Sequence, residues 1–215
     1  MAKKKKKKKA PVETVRLPKP KVDLPTQELA LIATVPEMFA LELWDMRHDW
    51  NRADPGWTWT RPGSLKVVLA RIKATTRSRV PALGEIAQKI FAATPEFTFE
   101  SPIVTRDPDG QKLELFLEPL PVWRDLQLRL GQAIILGGFA LEEKGLPAPR
   151  ALLARRKEDS EPSQSRPTQE MTIPPFDSWV VAKAHLVEAR QGHDDQYTSL
   201  SAWKLAKIRA KSDWW

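Results

Sequence analysis

Three histidines, His48, His185 and His193, are the side chains of this 215-residue chain best placed to exchange a proton near neutral pH or to ligate a metal. They are scattered. His48-Asp49 and His193-Asp194-Asp195 set carboxylates beside imidazoles. Two isolated pairs do not define a metal geometry, and solvated polar turns account for both. Glu42, Asp45 and Asp49 recur at near-helical spacing, as a charged solvent face does. Glu142-Glu143-Lys144 contains the E-x-K of nuclease cores, but at an expected helix end, without a partner aspartate on a strand. No Walker loop, G-x-G-x-x-G or G-x-S-x-G occurs. Cysteine is absent, which removes disulfides and thiolate metal sites. The expectation is a protein with no catalytic residue, no metal and no cofactor, and hence not an enzyme.

What the residues do offer is affinity for polyanions. Residues 1–22 hold ten cations, Lys3, Lys4, Lys5, Lys6, Lys7, Lys8, Lys9, Arg16, Lys19 and Lys21, against Glu13. The whole chain carries +8, so the remainder is close to neutral and its charges count only where they cluster. The lysine run reads as an arm that releases counterions from phosphates without reading sequence. In the body, Thr60 to Arg79 holds six cations and no acid. Lys66, Lys73, Arg77 and Arg79 are its candidate nucleic-acid contacts. Trp203, Trp214 and Trp215 are candidate partner contacts, because tryptophan is an enriched interface anchor.

The elements that must position these groups follow from periodicity and turn chemistry. Phe39, Leu43, Met46 and Trp50 make one face of a helix over 36–52. Trp57 to Thr60 alternates as a short strand does. Leu65, Val68, Leu69 and Ile72 suit a helix over 64–76, with Lys66, Lys73 and Arg77 close together on another side. A further helix spans 81–93. Asp107-Pro108-Asp109-Gly110 joins two strands into a hairpin over 97–118, since proline presets one turn position and glycine accepts the other. Pro121 to Gly145 reads as a helix interrupted by Gly137-Gly138, and 149–156 as one more. Four regions result: a disordered polybasic arm at 1–25, an α+β body at 26–157, a Pro/Ser-rich linker at 158–175 and a two-helix module at 176–215.

The order helix, short strand, helix, turn, helix and hairpin over 36–119 resembles a winged-helix domain. The resemblance concerns layout. It implies a mostly helical α+β fold in which the helix at 81–93 takes the recognition position. Arg77 and Arg79 would then stand at its approach, with Arg106 and Lys112 on the wing. The function expected on these grounds is a non-enzymatic nucleic-acid-binding accessory protein, its partner DNA, RNA or another polyanion. The alternative is an assembly adaptor, for example in a virion, docking or self-associating through 176–215. The sequence shows no apolar run of membrane-span length and no secretory signal, so the expected location is intracellular, or nuclear in a eukaryotic host.

Overall fold

The computed structural model describes residues 24–26, 28–100, 102–142, 148–157, 179–190 and 193–207, without the side chains of 190 and 193–196. The lysine run Lys3–Lys9, the linker at 158–175 and Trp214 and Trp215 lie outside these residues. The chain runs β1 (Leu29–Thr34), α1 (Glu37–Ala53), β2 (Trp57–Trp59), a 3-10 turn (Pro62–Ser64), β3 (Lys66–Ile72) and α2 (Val80–Ala92). Next come β4 (Phe97–Phe99), β5 (Ile103–Arg106), β6 (Lys112–Phe116), α3 (Pro121–Leu136), β7 (Arg150–Arg156), β8 (Trp179–Val181), β9 (Lys183–Arg190) and β10 (His193–Lys204).

Two four-stranded antiparallel sheets dominate. One has the order β10-β9-β1-β3 and the other β2-β7-β6-β5, while β4 and β8 form a separate pair. More of the described chain is strand than helix, so the mostly helical winged-helix expectation is overturned. The helix expected over 64–76 is the strand β3. Its residues 66–72 alternate half-buried and buried until a bulge at Leu31/Ile32 of β1 shifts the register. RALLARR, expected as a helix, is β7, pinned between β2 and β6. The expected two-helix module is instead the hairpin β9–β10, and β9 pairs with β1. The physical reason is the same each time: pairing between distant segments overrides the helix propensity of Ala, Leu, Lys, Glu and Arg.

The helices at α1 and α2 match the expected spans, and the 103–116 hairpin turns where Asp107-Pro108-Asp109-Gly110 demands, with Gly110 at φ +69°. β4 does not join that hairpin; it pairs with β8. α3 stops at Leu136, earlier than the expected end at Gly145. Gly137 lies where a side chain's first carbon would stand 2.4 Å from Ile86 Cδ1, so α2 and α3 approach closely there.

One continuous core joins the layers. Phe39, Phe97, Phe99, Trp123 and Trp179 pack ring on ring, with centroids 5.4–6.2 Å apart. Trp57 is buried, and the half-buried Trp59 packs against the core with its ring tilted against that of Trp50. Asp54, at the end of α1, collects the Trp57 indole N–H at 3.1 Å, Arg106 at 2.7 Å and Arg156 at 2.8 Å. Arg106, assigned to a wing by the resemblance, therefore ties the β5–β6 hairpin to α1.

Candidate active-site groove

The outer face of the β10-β9-β1-β3 sheet carries a groove of about 230 Å³ lined by Ile32, Thr34, Lys66, His185, Val187 and Tyr197, with Ser199 and the Gly63–Leu65 turn at its edges. Strand alternation decides what faces it. On β1, Leu29, Leu31 and Ala33 are fully buried in the main core, which leaves Ala30, Ile32 and Thr34 for the other side. Register then places Lys66 opposite Thr34, Val68 and His185 opposite Ile32, and Val187 opposite Ala30. Ala30, Ile32 and Val187 form a small apolar floor, with Val68 and Tyr197 packed against it.

β3 and β9 both run antiparallel to β1, one on each side, and their sequences echo each other. Lys66-Val67-Val68-Leu69-Ala70-Arg71 on β3 answers His185-Leu186-Val187-Glu188-Ala189-Arg190 on β9. Each presents one titratable side chain to the groove and a valine two residues on. Two strand spacings across and two residues along separate the Cα atoms of Lys66 and His185 by roughly 12 Å. Both side chains point into the space between, so a group of phosphate size fits there.

The two polar ends are held differently. The Lys66 ammonium lies 3.3 Å from the centre of the Tyr197 ring, which reaches across from the edge strand β10. His185 Nδ1 is 3.3 Å from the Ser199 hydroxyl, a contact that orients the ring and leaves Nε2 for the groove. Burial, reinforced by the Lys183 ammonium two residues earlier, holds the His185 imidazole below the ordinary histidine range. The ring is therefore neutral at pH 7, as a general base must be. At the far end of β3, Arg71 is ion-paired with Glu28. Burial opposes the Arg71 charge, but the hydrogen bonds and charges of Glu28 and Tyr197 outweigh it and raise its pKa. Among the described residues no cluster of three or more His, Asp or Glu side chains is arranged to hold a metal ion.

Of the candidate nucleic-acid residues among those described, only Lys66 lines this groove. Lys73 is exposed past the end of β3, where its backbone N–H bonds Ala140. Arg77 grips Glu188 of β9 through two 3.0 Å hydrogen bonds. Arg79 donates to the carbonyls of Gly137 and Gly138 at 3.1 and 3.0 Å, capping the end of α3, and lies over the Phe139 ring. Trp203 packs its ring 5.5 Å from that of Phe91 on α2. Sequence reasoning missed Tyr197 and Ser199, and it met His185 only as one of three scattered histidines. The signal that would have found the site is the internal echo between residues 66–71 and 185–190.

No protein-family model and no curated protein matches the sequence. Solved structures do match the fold. The protein TT0787 of Thermus thermophilus superposes with a TM-score of 0.67 at 18% identity, covering 85% of this chain and 100% of that one. A phosphoesterase crystal structure gives 0.64 at 19% identity, with 84% and 98% covered. Escherichia coli LigT complexed with 3′-AMP gives 0.63 at 19% identity, with 85% and 99% covered. What this chain shares with these structures is their α+β fold. It replaces the winged-helix resemblance and removes the ground for expecting a non-enzymatic accessory or adaptor protein. That expectation rested on missing sequence motifs, and this fold assembles its groove from strands far apart in the chain. Among the described residues no helix is long and apolar enough to cross a membrane.

Proposed function

We propose, from that shared fold, that this chain is a phosphoesterase whose groove binds the phosphate of a nucleotide and hydrolyses a phosphodiester such as a nucleoside 2′,3′-cyclic phosphate. One observation carries the reading: His185 and Lys66, on strands that echo each other, open into one groove on the sheet face.

The chemistry divides between the two side chains. The anionic phosphate sits between β3 and β9, where the Lys66 ammonium meets its non-bridging oxygens. A water molecule attacks phosphorus from the His185 side. Its oxygen bonds to phosphorus while the ester P–O bond on the opposite side breaks. His185 Nε2 takes the proton of the attacking water, and the departing ribose oxygen is protonated from solvent at the open side of the groove. The product is a phosphomonoester with a free hydroxyl. Val68 and Val187 offer no hydrogen bond to the phosphate, so Lys66 carries the charge stabilisation on the chain's part. Ser199 acts through His185 by fixing its ring.

The test is turnover of nucleoside 2′,3′-cyclic phosphates, followed by phosphorus NMR, with wild-type protein and with His185→Ala and Lys66→Ala. The reading expects product from the wild type, and rate losses of about 100-fold or more on removing the base. Absence of turnover by the wild type across the four nucleobases would end it.

A further inference from the structure

Lys183 and Lys204 stand directly opposite each other on β9 and β10. Both are exposed. Alternation puts Lys183 on the same face as His185, two residues away, and its charge already lowers the imidazole pKa. Lys204 shares that face, since its neighbour Trp203 points inward to α2. Like charges at directly opposed positions destabilise a sheet. Among the described residues no carboxylate forms an ion pair with either lysine. Lys183 precedes Ala184, the partner of Ala33, so the pair lies alongside the Thr34 end of β1, where Lys66 also enters the groove. Lys66 thus lines that end of the groove, and Lys183 and Lys204 stand beside it on the next strands of the same sheet face.

We infer that Lys183 and Lys204 form a second phosphate subsite, and that the ligand is the end of an oligonucleotide rather than a mononucleotide. The inference rests on the reading of the Lys66–His185 groove as a phosphate site and extends it. Two residues of strand separate His185 from the lysine pair, about 7 Å. That span suits one sugar–phosphate repeat. With the reacting phosphate between His185 and Lys66, the neighbouring phosphate falls on Lys183 and Lys204. It neutralises the repulsion between the two opposed lysines. A mononucleotide fills only the first position. The ligand's second phosphate also opposes the depression of the His185 pKa, because it screens Lys183.

The experiment compares binding of a fluorescein-labelled tetranucleotide RNA and of adenosine 3′-monophosphate to the full chain, by anisotropy and competition. The proteins are the wild type, Lys183→Ala/Lys204→Ala, and a control of equal charge loss away from the groove, Lys89→Ala/Lys157→Ala. Lys3–Lys9 is present in every protein, so its contribution cancels in the comparison. The inference expects the groove variant to lose tetranucleotide affinity about tenfold or more. Mononucleotide affinity should stay within about twofold, and the salt slope should fall by about 0.7, the value for one phosphate on a single strand. Equal tetranucleotide affinity in wild type and groove variant overturns it, as does an equal loss in the control. Turnover is scored separately. A wild type that binds the tetranucleotide through these lysines but cleaves neither ligand refutes the hydrolytic reading and leaves the subsite standing.

Discussion

Replacing Arg77 by alanine tests whether this arginine belongs to the scaffold of the groove. Arg77 grips both oxygens of Glu188 at 3.0 Å. Glu188 sits on β9 three residues after His185, and its side chain is 9% exposed against 54% for Arg77. Removing one partner of a fully buried pair costs about 3–5 kcal/mol, because the remaining charge is stranded. An exposed pair contributes only about 0–1 kcal/mol. A buried carboxylate with a half-exposed partner falls between, at about 2 kcal/mol. For a chain of this size that corresponds to a Tm lower by roughly 4–8 °C. Urea denaturation of wild type, Arg77→Ala, Glu188→Gln and the double variant closes a thermodynamic cycle. The double variant should be more stable than Arg77→Ala, since the buried group that has lost the arginine is then neutral. An Arg77→Ala loss below about 0.5 kcal/mol, the range of an ordinary surface change, refutes the assignment.

Three further outcomes follow from the same geometry. The pKa of His185 that governs kcat/KM should lie below the ordinary histidine value of about 6.5, and Lys183→Ala should move it upward; the same depressed pKa means that native stability falls as pH drops below that ordinary value, where unfolded His185 takes up a proton that the folded ring resists. Lys204→Glu turns the opposed lysines into a cross-strand ion pair, so thermal denaturation should show a gain of about 0.2–0.5 kcal/mol while oligonucleotide affinity falls. Gly137→Ala places a methyl 2.4 Å from Ile86 Cδ1 and should cost about 1–3 kcal/mol in chemical denaturation, with partial recovery in Gly137→Ala/Ile86→Val.

The parts of the fold that were legible in the sequence are those set by local chemistry. α1 and α2 show their apolar faces at helical spacing, and Asp107-Pro108-Asp109-Gly110 fixes the β5–β6 turn through a glycine at positive φ. The strands β3, β7 and β9 were not legible. Leu65, Val68, Leu69 and Ile72 fit a helix period as well as a strand, and RALLARR and KAHLVEAR are built from good helix formers. What makes them strands is pairing at long range: β1 at residues 29–34 lies between β3 and β9, and β9 begins only at Lys183. The groove inherits that problem. Lys66 was visible only as one cation in a basic run, and His185 only as one of three scattered histidines. Neither is near the other in sequence, and β1, which brings them together, is apolar but for Thr34 at its end. Arg77 and Arg79 show the converse: clustered in sequence as a polyanion patch, they turn separately to Glu188 and to the end of α3.

The most direct test of the central claim is phosphorus NMR of a nucleoside 2′,3′-cyclic phosphate incubated with the full chain at neutral pH, alongside His185→Ala. The Lys66–His185 groove predicts conversion to a nucleoside monophosphate by the wild type, and a rate at least about 100-fold lower for the variant. Equal rates in the two proteins, or no conversion by either, would contradict it.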